Sequence, residues 1–233
     1  MDRKIVALVG LPGSGKTEAA RFFSQHGFKI IKFGDLTDKL IQDNKIEHTE
    51  HNEKRMREYL REKEGMEAYA KLHKNDIAKT LVTTNIVIDG LYSWEEYLFL
   101  KKIYKERLLL LAIYAPPPVR HLRLNTRHHR PLHKEEAISR DKEEIENLNV
   151  GGPIAVANHT IVNIRGMEDL RIHIAEFVKT QFWNYSKVVS KTKHLNSRST
   201  ISIYRSLTSK LWEIANQLCE MKSLCNTQKK RHP

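Results

Sequence analysis

An α/β domain built on a five-stranded parallel sheet is the fold class that this 233-residue sequence predicts. Two observations lead to it. Short β-branched apolar runs alternate with helical patterns of ten residues or more, the rhythm of parallel strands joined by crossover helices. The runs KIVALV and LLLLAIY are nearly continuous in apolar residues, as expected of strands covered on both faces. Helices on either side of such a sheet make a three-layer sandwich.

Lys4–Val9 is the first strand and stops at Gly10. A helix pattern follows from Lys16 to His26, with Ala19, Ala20, Phe22 and Phe23 available to pack, and Gly27 ends it. Phe28–Phe33 is the second strand, and Asp35–Ile41 reads as helix. The polar run Gln42–Glu53 is a loop into the charged helix Glu53–Lys63. Gly65 interrupts that pattern and Met66–Leu81 resumes it. Asn85–Ile88 is the third strand, followed by a helix over Ser93–Tyr104 with Ser93 as its cap. Leu108–Tyr114 is the fourth strand, and Pro116–Pro118 opens another helix. Thr160–Val162 is the fifth strand and Gly166–Trp183 the closing helix.

Beyond about Tyr185 the character changes. The sequence therefore divides into a main domain, 1–185, and a C-terminal extension, 186–233. Ser186–Thr200 is a polar, basic linker. Ile201–Leu224 is an amphipathic helix with Tyr204, Leu207, Leu211, Ile214 or Ala215, Leu218 and Met221 on one face. The net charge of +12 is concentrated there: from Lys179 onward 11 Lys and Arg face 2 Asp and Glu, against 29 and 26 before it. A near-neutral main domain argues against a generic nucleic-acid binder, while the basic tail keeps nucleic acid open as a partner. The helix face is suited to docking on the main domain or on a second copy as a homodimer. No secretory leader pattern opens the chain, and the first apolar run is far shorter than a membrane span. Cys219 and Cys225 lack metal-ligand spacing and read as free thiols. The expected location is cytoplasmic, with no membrane partner.

Gly10-Leu11-Pro12-Gly13-Ser14-Gly15-Lys16-Thr17 fits G-x-x-x-x-G-K-[ST] between a strand and a helix. In such a loop, backbone N–H groups and the helix N-terminus cradle phosphate oxygens, the lysine reaches the β- and γ-phosphates, and the hydroxyl ligates Mg²⁺. This makes the sandwich a P-loop NTPase fold. The nucleotide-binding set is Gly10, Pro12, Gly13, Ser14, Gly15, Lys16, Thr17 and Glu18, with ATP and Mg²⁺ as the ligands. Asp89 ends an apolar strand and joins Thr17 as the metal-binding pair. Asp35, at the end of the second strand, faces the same crevice and either deprotonates an acceptor hydroxyl or binds the acceptor. The alternative for each aspartate is a helix cap.

From Arg123, the stretch RLNTRHHRPLHKEEAISRD holds four arginines and three histidines in nineteen residues. A mobile arginine-rich lid over about 120–145 would neutralise a transferring phosphoryl group and exclude water. Arg127, Arg130 and Arg140 are its catalytic candidates, alongside Lys16 and Asp35; Arg120 and Arg123 are assigned to a solvated helix face. A zinc site on His129 and His133 conflicts with Pro131 between them.

The chain resembles the dephospho-CoA-kinase-like nucleotide kinases, a P-loop family well represented in archaea. The resemblance rests on VGLPGSGKTE (Val9–Glu18), FGD (Phe33–Asp35), LREKEGMEAYAK (Leu60–Lys71), VIDGLYSWEE (Val87–Glu96), SRDKEE (Ser139–Glu144) and IAVANHTIVN (Ile154–Asn163). It implies ATP-dependent phosphoryl transfer to a small nucleotide-like acceptor, a nucleoside monophosphate or dephospho-CoA. It also implies that the loop Gly152–Asn158 lies against adenine, with Asn158 in the nucleotide-binding set. Ala157-Asn158 replaces the family's Ala-Asp, Pro131-Leu132 stands where the family lid carries two acids, and the segment from Lys187 has no counterpart. An ATP-dependent switch or nucleic-acid-associated NTPase is the alternative function.

Overall fold

Five short strands carry the architecture: β1 (Ile5–Val9), β2 (Lys29–Lys32), β3 (Ile86–Asp89), β4 (Leu108–Tyr114) and β5 (His159–Val162). The structure, a computed structural model, describes residues 3–128 and 131–182. His129, Arg130, the linker, the helix expected over Ile201–Leu224 and both cysteines lie outside the described residues.

Every pairing is parallel, in the order β2-β3-β1-β4-β5. β1 is central, with Ile5 opposite Ile86 on one side and Leu108 on the other. All positions of β1 and β3 are buried, which is why their sequences lack alternation. The edge strands differ. Lys29 and Lys32 on β2, and His159, Thr160 and Val162 on β5, are exposed. Lysines at the β2 edge discourage pairing with another chain.

The helices are α1 (Lys16–Gln25), α2 (Asp35–Asp43), α3 (Glu50–Glu64), α4 (Ala68–Leu72), α5 (Lys74–Leu81), α6 (Trp94–Tyr104), α7 (Pro117–Thr126), α8 (Lys134–Glu146), α9 (Gly151–Ala155) and α10 (Met167–Phe182). Thr49 starts α3 three residues earlier than the sequence pattern suggested, its Oγ1 accepting from Asn52 N at 3.2 Å. The single helix expected over Met66–Leu81 is two, α4 and α5, joined at His73. The His73 ring stacks on buried Phe33 at 5.2 Å, so packing against the end of β2 fixes the joint. Among the described residues, no helix is long and apolar enough to cross a membrane.

A buried polar cluster fastens α6 beneath α3. Ser93 Oγ accepts from Glu96 N at 3.0 Å, and Glu96 Oε2 accepts from Tyr92 N at 2.8 Å and Ser93 N at 3.3 Å. This reciprocal cap satisfies amides that the helix start would otherwise leave unpaired. Arg61 lies 3.9 Å from the other Glu96 oxygen and 5.1 Å from the centre of the Tyr69 ring.

Burial pushes the Glu96 carboxyl up to about 7, against the opposing pull of Arg61 and the two amides. A folded pKa above the unfolded value means that the native state retains a proton which the unfolded chain has released. The contribution of this group to stability therefore falls as pH rises from about 4.5 to about 7. Glu96→Gln keeps an acceptor oxygen for the cap and removes the titration. Urea unfolding across that window should show wild type losing stability relative to Glu96→Gln as pH rises.

Candidate active site

β1 ends between β3 and β4, so the loop that follows it opens over the carboxyl edge of the sheet. Gly13 and Gly15 have φ of +78° and +106°. A Cβ at Gly13 would collide with the Arg120 carbonyl, and one at Gly15 with Asn163 Nδ2. Both conformation and space therefore demand glycine at these positions.

Side chains hold the loop from outside. Arg120 Nη1 donates to Pro12 O at 3.0 Å, and Asn163 Nδ2 donates to Ser14 O at 2.8 Å. In a trans peptide the C=O and the following N–H point in opposite directions. Drawing the carbonyls of Pro12 and Ser14 outward thus turns the amides of Gly13 and Gly15 to the opposite side, where a phosphate would sit. Lys16 Nζ folds back to donate to Gly10 O, and to Leu11 O at 3.1 Å.

Thr17 lies close enough to Asp89 for its hydroxyl to favour the ionised carboxylate. Burial raises the Asp89 pKa, and Lys16 and the Thr17 hydrogen bond oppose it. Burial also lowers the pKa of Lys16, while the nearby charges of Glu144 and Asp89 hold its proton on. Asp35 is exposed on the first turn of α2, near enough for its charge to act on Asp89. Neither aspartate is a cap: Gly34 precedes α2 and Ser93 precedes α6. Glu18 sits on the outside of α1, paired with Arg21 at 2.8 Å.

The lid arginines are distributed differently from the sequence reading. Arg120, assigned to a solvated face, is 2% exposed. Its Nε donates to Ala115 O at 3.0 Å, and its Nη atoms grip Asp141 at 2.7 and 2.8 Å. Asp141 also meets His121 at 2.8 Å. Burial would raise the Asp141 pKa, but the hydrogen bonds from Arg120 and His121 bring it below the usual carboxylate range. Arg123 donates to Asn163 O at 3.0 Å, and its burial lowers its pKa. Arg127 follows α7, half-buried, in extended backbone. Arg140 is held by Glu50 at 3.0 Å and Glu144 at 3.4 Å. Burial works against its charge, yet Glu144, Glu50 and their neighbours raise its pKa overall. His133 caps α8 with Glu136.

Asn158 ends the loop that the resemblance sets against adenine. It lies at the start of β5, where its Oδ1 accepts from Leu110 N at 2.8 Å and its N–H donates to Leu110 O at 3.0 Å. The residue at the other end of that strand, Asn163, reaches the phosphate loop, as the gathering of ligands at carboxyl ends of strands favours. Glu144, 5% exposed, stands four residues after Arg140 on α8, within SRDKEE; Glu50 carried no motif signal, and helix packing brings it to Arg140.

Arg120→Met should cost about 3–5 kcal/mol of unfolding free energy, because Asp141 is left without its buried partner. Arg21→Met, at an exposed i,i+3 pair, should stay within about 0.5 kcal/mol. Urea denaturation of both variants measures the contrast.

Residues 6–148 match the family described as AAA domain. A UPF0200 protein of Sulfurisphaera tokodaii is 31% identical over 180 residues, covering 76% of this chain and 96% of that protein. A UPF0200 protein of Thermococcus gammatolerans is 30% identical over 179 residues, covering 75% and 94%. Among solved structures, shikimate kinase from Acinetobacter baumannii in complex with shikimate superposes with a TM-score of 0.50 at 17% identity, covering 78% of this chain and 95% of that one. TT1252 from Thermus thermophilus gives 0.51 at 17% identity, covering 78% and 99%. These two show a shared fold. With the phosphate loop at the end of β1 and the sequence match across nearly the full length of these relatives, the chain belongs to the AAA domain family and groups with the UPF0200 proteins.

Proposed function

We propose that the protein is an ATP- and Mg²⁺-dependent phosphotransferase acting on a small nucleotide-like acceptor, of the nucleoside monophosphate or dephospho-CoA type. The observation that carries this reading is the placing of Thr17 and buried Asp89 beside Lys16, at the mouth of a loop that Arg120 and Asn163 hold with its amides on one side. A hydroxyl and a carboxylate are hard oxygen donors that suit Mg²⁺, and the burial that opposes the charge of Asp89 favours a cation next to it. Thr17 and Asp89 would hold the ion. When bound, Mg²⁺ neutralises phosphate charge.

Each residue then has a defined task. The amides of Gly13 and Gly15 and the Lys16 ammonium bind the β- and γ-phosphates. Arg127 and Arg140, joined by Arg130 on sequence grounds, face charge that develops on the transferring group. Asp35 takes the proton of the acceptor hydroxyl as that oxygen bonds to the γ-phosphorus and the bond to the ADP oxygen breaks. The lid excludes water from the same centre.

ADP formation with Mg·ATP, measured against ribo- and deoxynucleoside monophosphates and dephospho-CoA, tests the reading. One acceptor should raise turnover well above background. Lys16→Ala should lower it by at least about a hundredfold without unfolding the chain. Hydrolysis that no acceptor stimulates would favour an ATP-driven switch instead. Asp35→Asn distinguishes two roles: loss of kcat at unchanged acceptor KM marks the proton acceptor, and the reverse marks an acceptor-binding residue.

A further inference from the structure

α3 and α8 meet along two charged pairs of opposite polarity. Glu50 Oε2 accepts from Arg140 Nη1 at 3.0 Å, and one turn further along, Lys54 Nζ lies 3.0 Å from Glu143 Oε2. The two pairs are alike as ties between helices. They differ in what else they touch. Lys54 is partly exposed and also reaches Glu58 at 3.8 Å on its own helix. Arg140 is mostly buried between Glu50 and Glu144, and its charge acts on both Lys16 and Tyr92.

Glu50 is itself immobilised. Its Oε1 accepts from Arg57 Nη2 at 2.7 Å, and Arg57 Nη1 is anchored on buried Glu53 at 3.4 Å. Arg140 has five N–H donors. Glu144 takes Nε from within α8 and Glu50 takes one hydrogen of Nη1 from α3; among the described residues nothing accepts from Nη2. A planar guanidinium held at two edges has its third edge aimed. We infer that Glu50 is a positioning residue: from α3, which flanks the proposed acceptor crevice, it orients Arg140 of the lid toward the transferring phosphoryl group. This inference rests on the phosphotransferase reading above.

The test is retention of Mg·ADP, with and without aluminium fluoride as a mimic of the transferring group, on the full-length protein. Four variants are compared with wild type: Glu50→Gln, Lys54→Ala, Arg140→Lys and the double Glu50→Gln/Arg140→Lys. Glu50→Gln should weaken the fluoride-dependent retention by about tenfold or more, with Mg·ADP alone changed by less than about twofold. Lys54→Ala, which removes the neighbouring tie without touching Arg140, should alter neither. The double variant should lose no more than Arg140→Lys alone, since one residue acts through the other. Equal losses from Glu50→Gln and Lys54→Ala, or additive losses in the double variant, would reduce Glu50 to a structural tie and overturn the inference. Wild type that binds Mg·ADP but gains nothing from fluoride would overturn it too. Wild type that does not bind Mg·ADP would instead bring down the phosphotransferase reading on which it stands.

Discussion

The Arg120 guanidinium is the constraint on which the site depends. It is almost wholly buried, and it joins three pieces that the chain order keeps apart: Pro12 in the phosphate loop, Ala115 at the end of β4, and Asp141 in α8. A buried charge is stable only when its donors and its countercharge are satisfied together. The loop therefore cannot relax without leaving part of Arg120 unpaired, and α8 cannot leave without uncovering Asp141. Asn163 repeats the arrangement from the β5 side with a neutral amide. Between them, a cation and an amide hold two loop carbonyls outward, and peptide planarity does the rest.

Charge at the centre is balanced with little solvent to help. Burial draws Lys16 and Asp89 each toward its neutral form, and each opposes that tendency in the other. Glu144 extends the balance into the lid, acting on Lys16 and bonding Arg140. Such a set is sensitive to every member because the low local dielectric strengthens both attraction and the penalty for an unpaired group. Arg140 is oriented by carboxylates, whereas Lys16 is turned back onto the carbonyls of Gly10 and Leu11.

Much of the fold was legible in the sequence. Alternating strand and helix patterns, continuous apolar runs for the inner strands, and Gly-Lys-Thr after β1 all report local or nearest-neighbour physics. Periodicity and glycine demand are written residue by residue. The Thr17–Asp89 pair was legible for a related reason: both residues stand at ends of elements, and a parallel sheet brings those ends to one edge. The early start of α3 and the break at His73 were not read. The Thr49 cap was hidden in a polar run, and the joint at His73 is set by Phe33, forty residues away in sequence.

The sequence by itself determined the sheet, the phosphate loop and which acids would stand at strand ends, because each follows from spacing and backbone conformation. Tertiary structure alone decided what the charged side chains do. Arg120 and Arg140 belong to one basic stretch, yet one is a buried brace and the other is held between two glutamates. Nothing in their local spacing separates these roles, since partners at Pro12, Asp141 and Glu50 are chosen by helix packing.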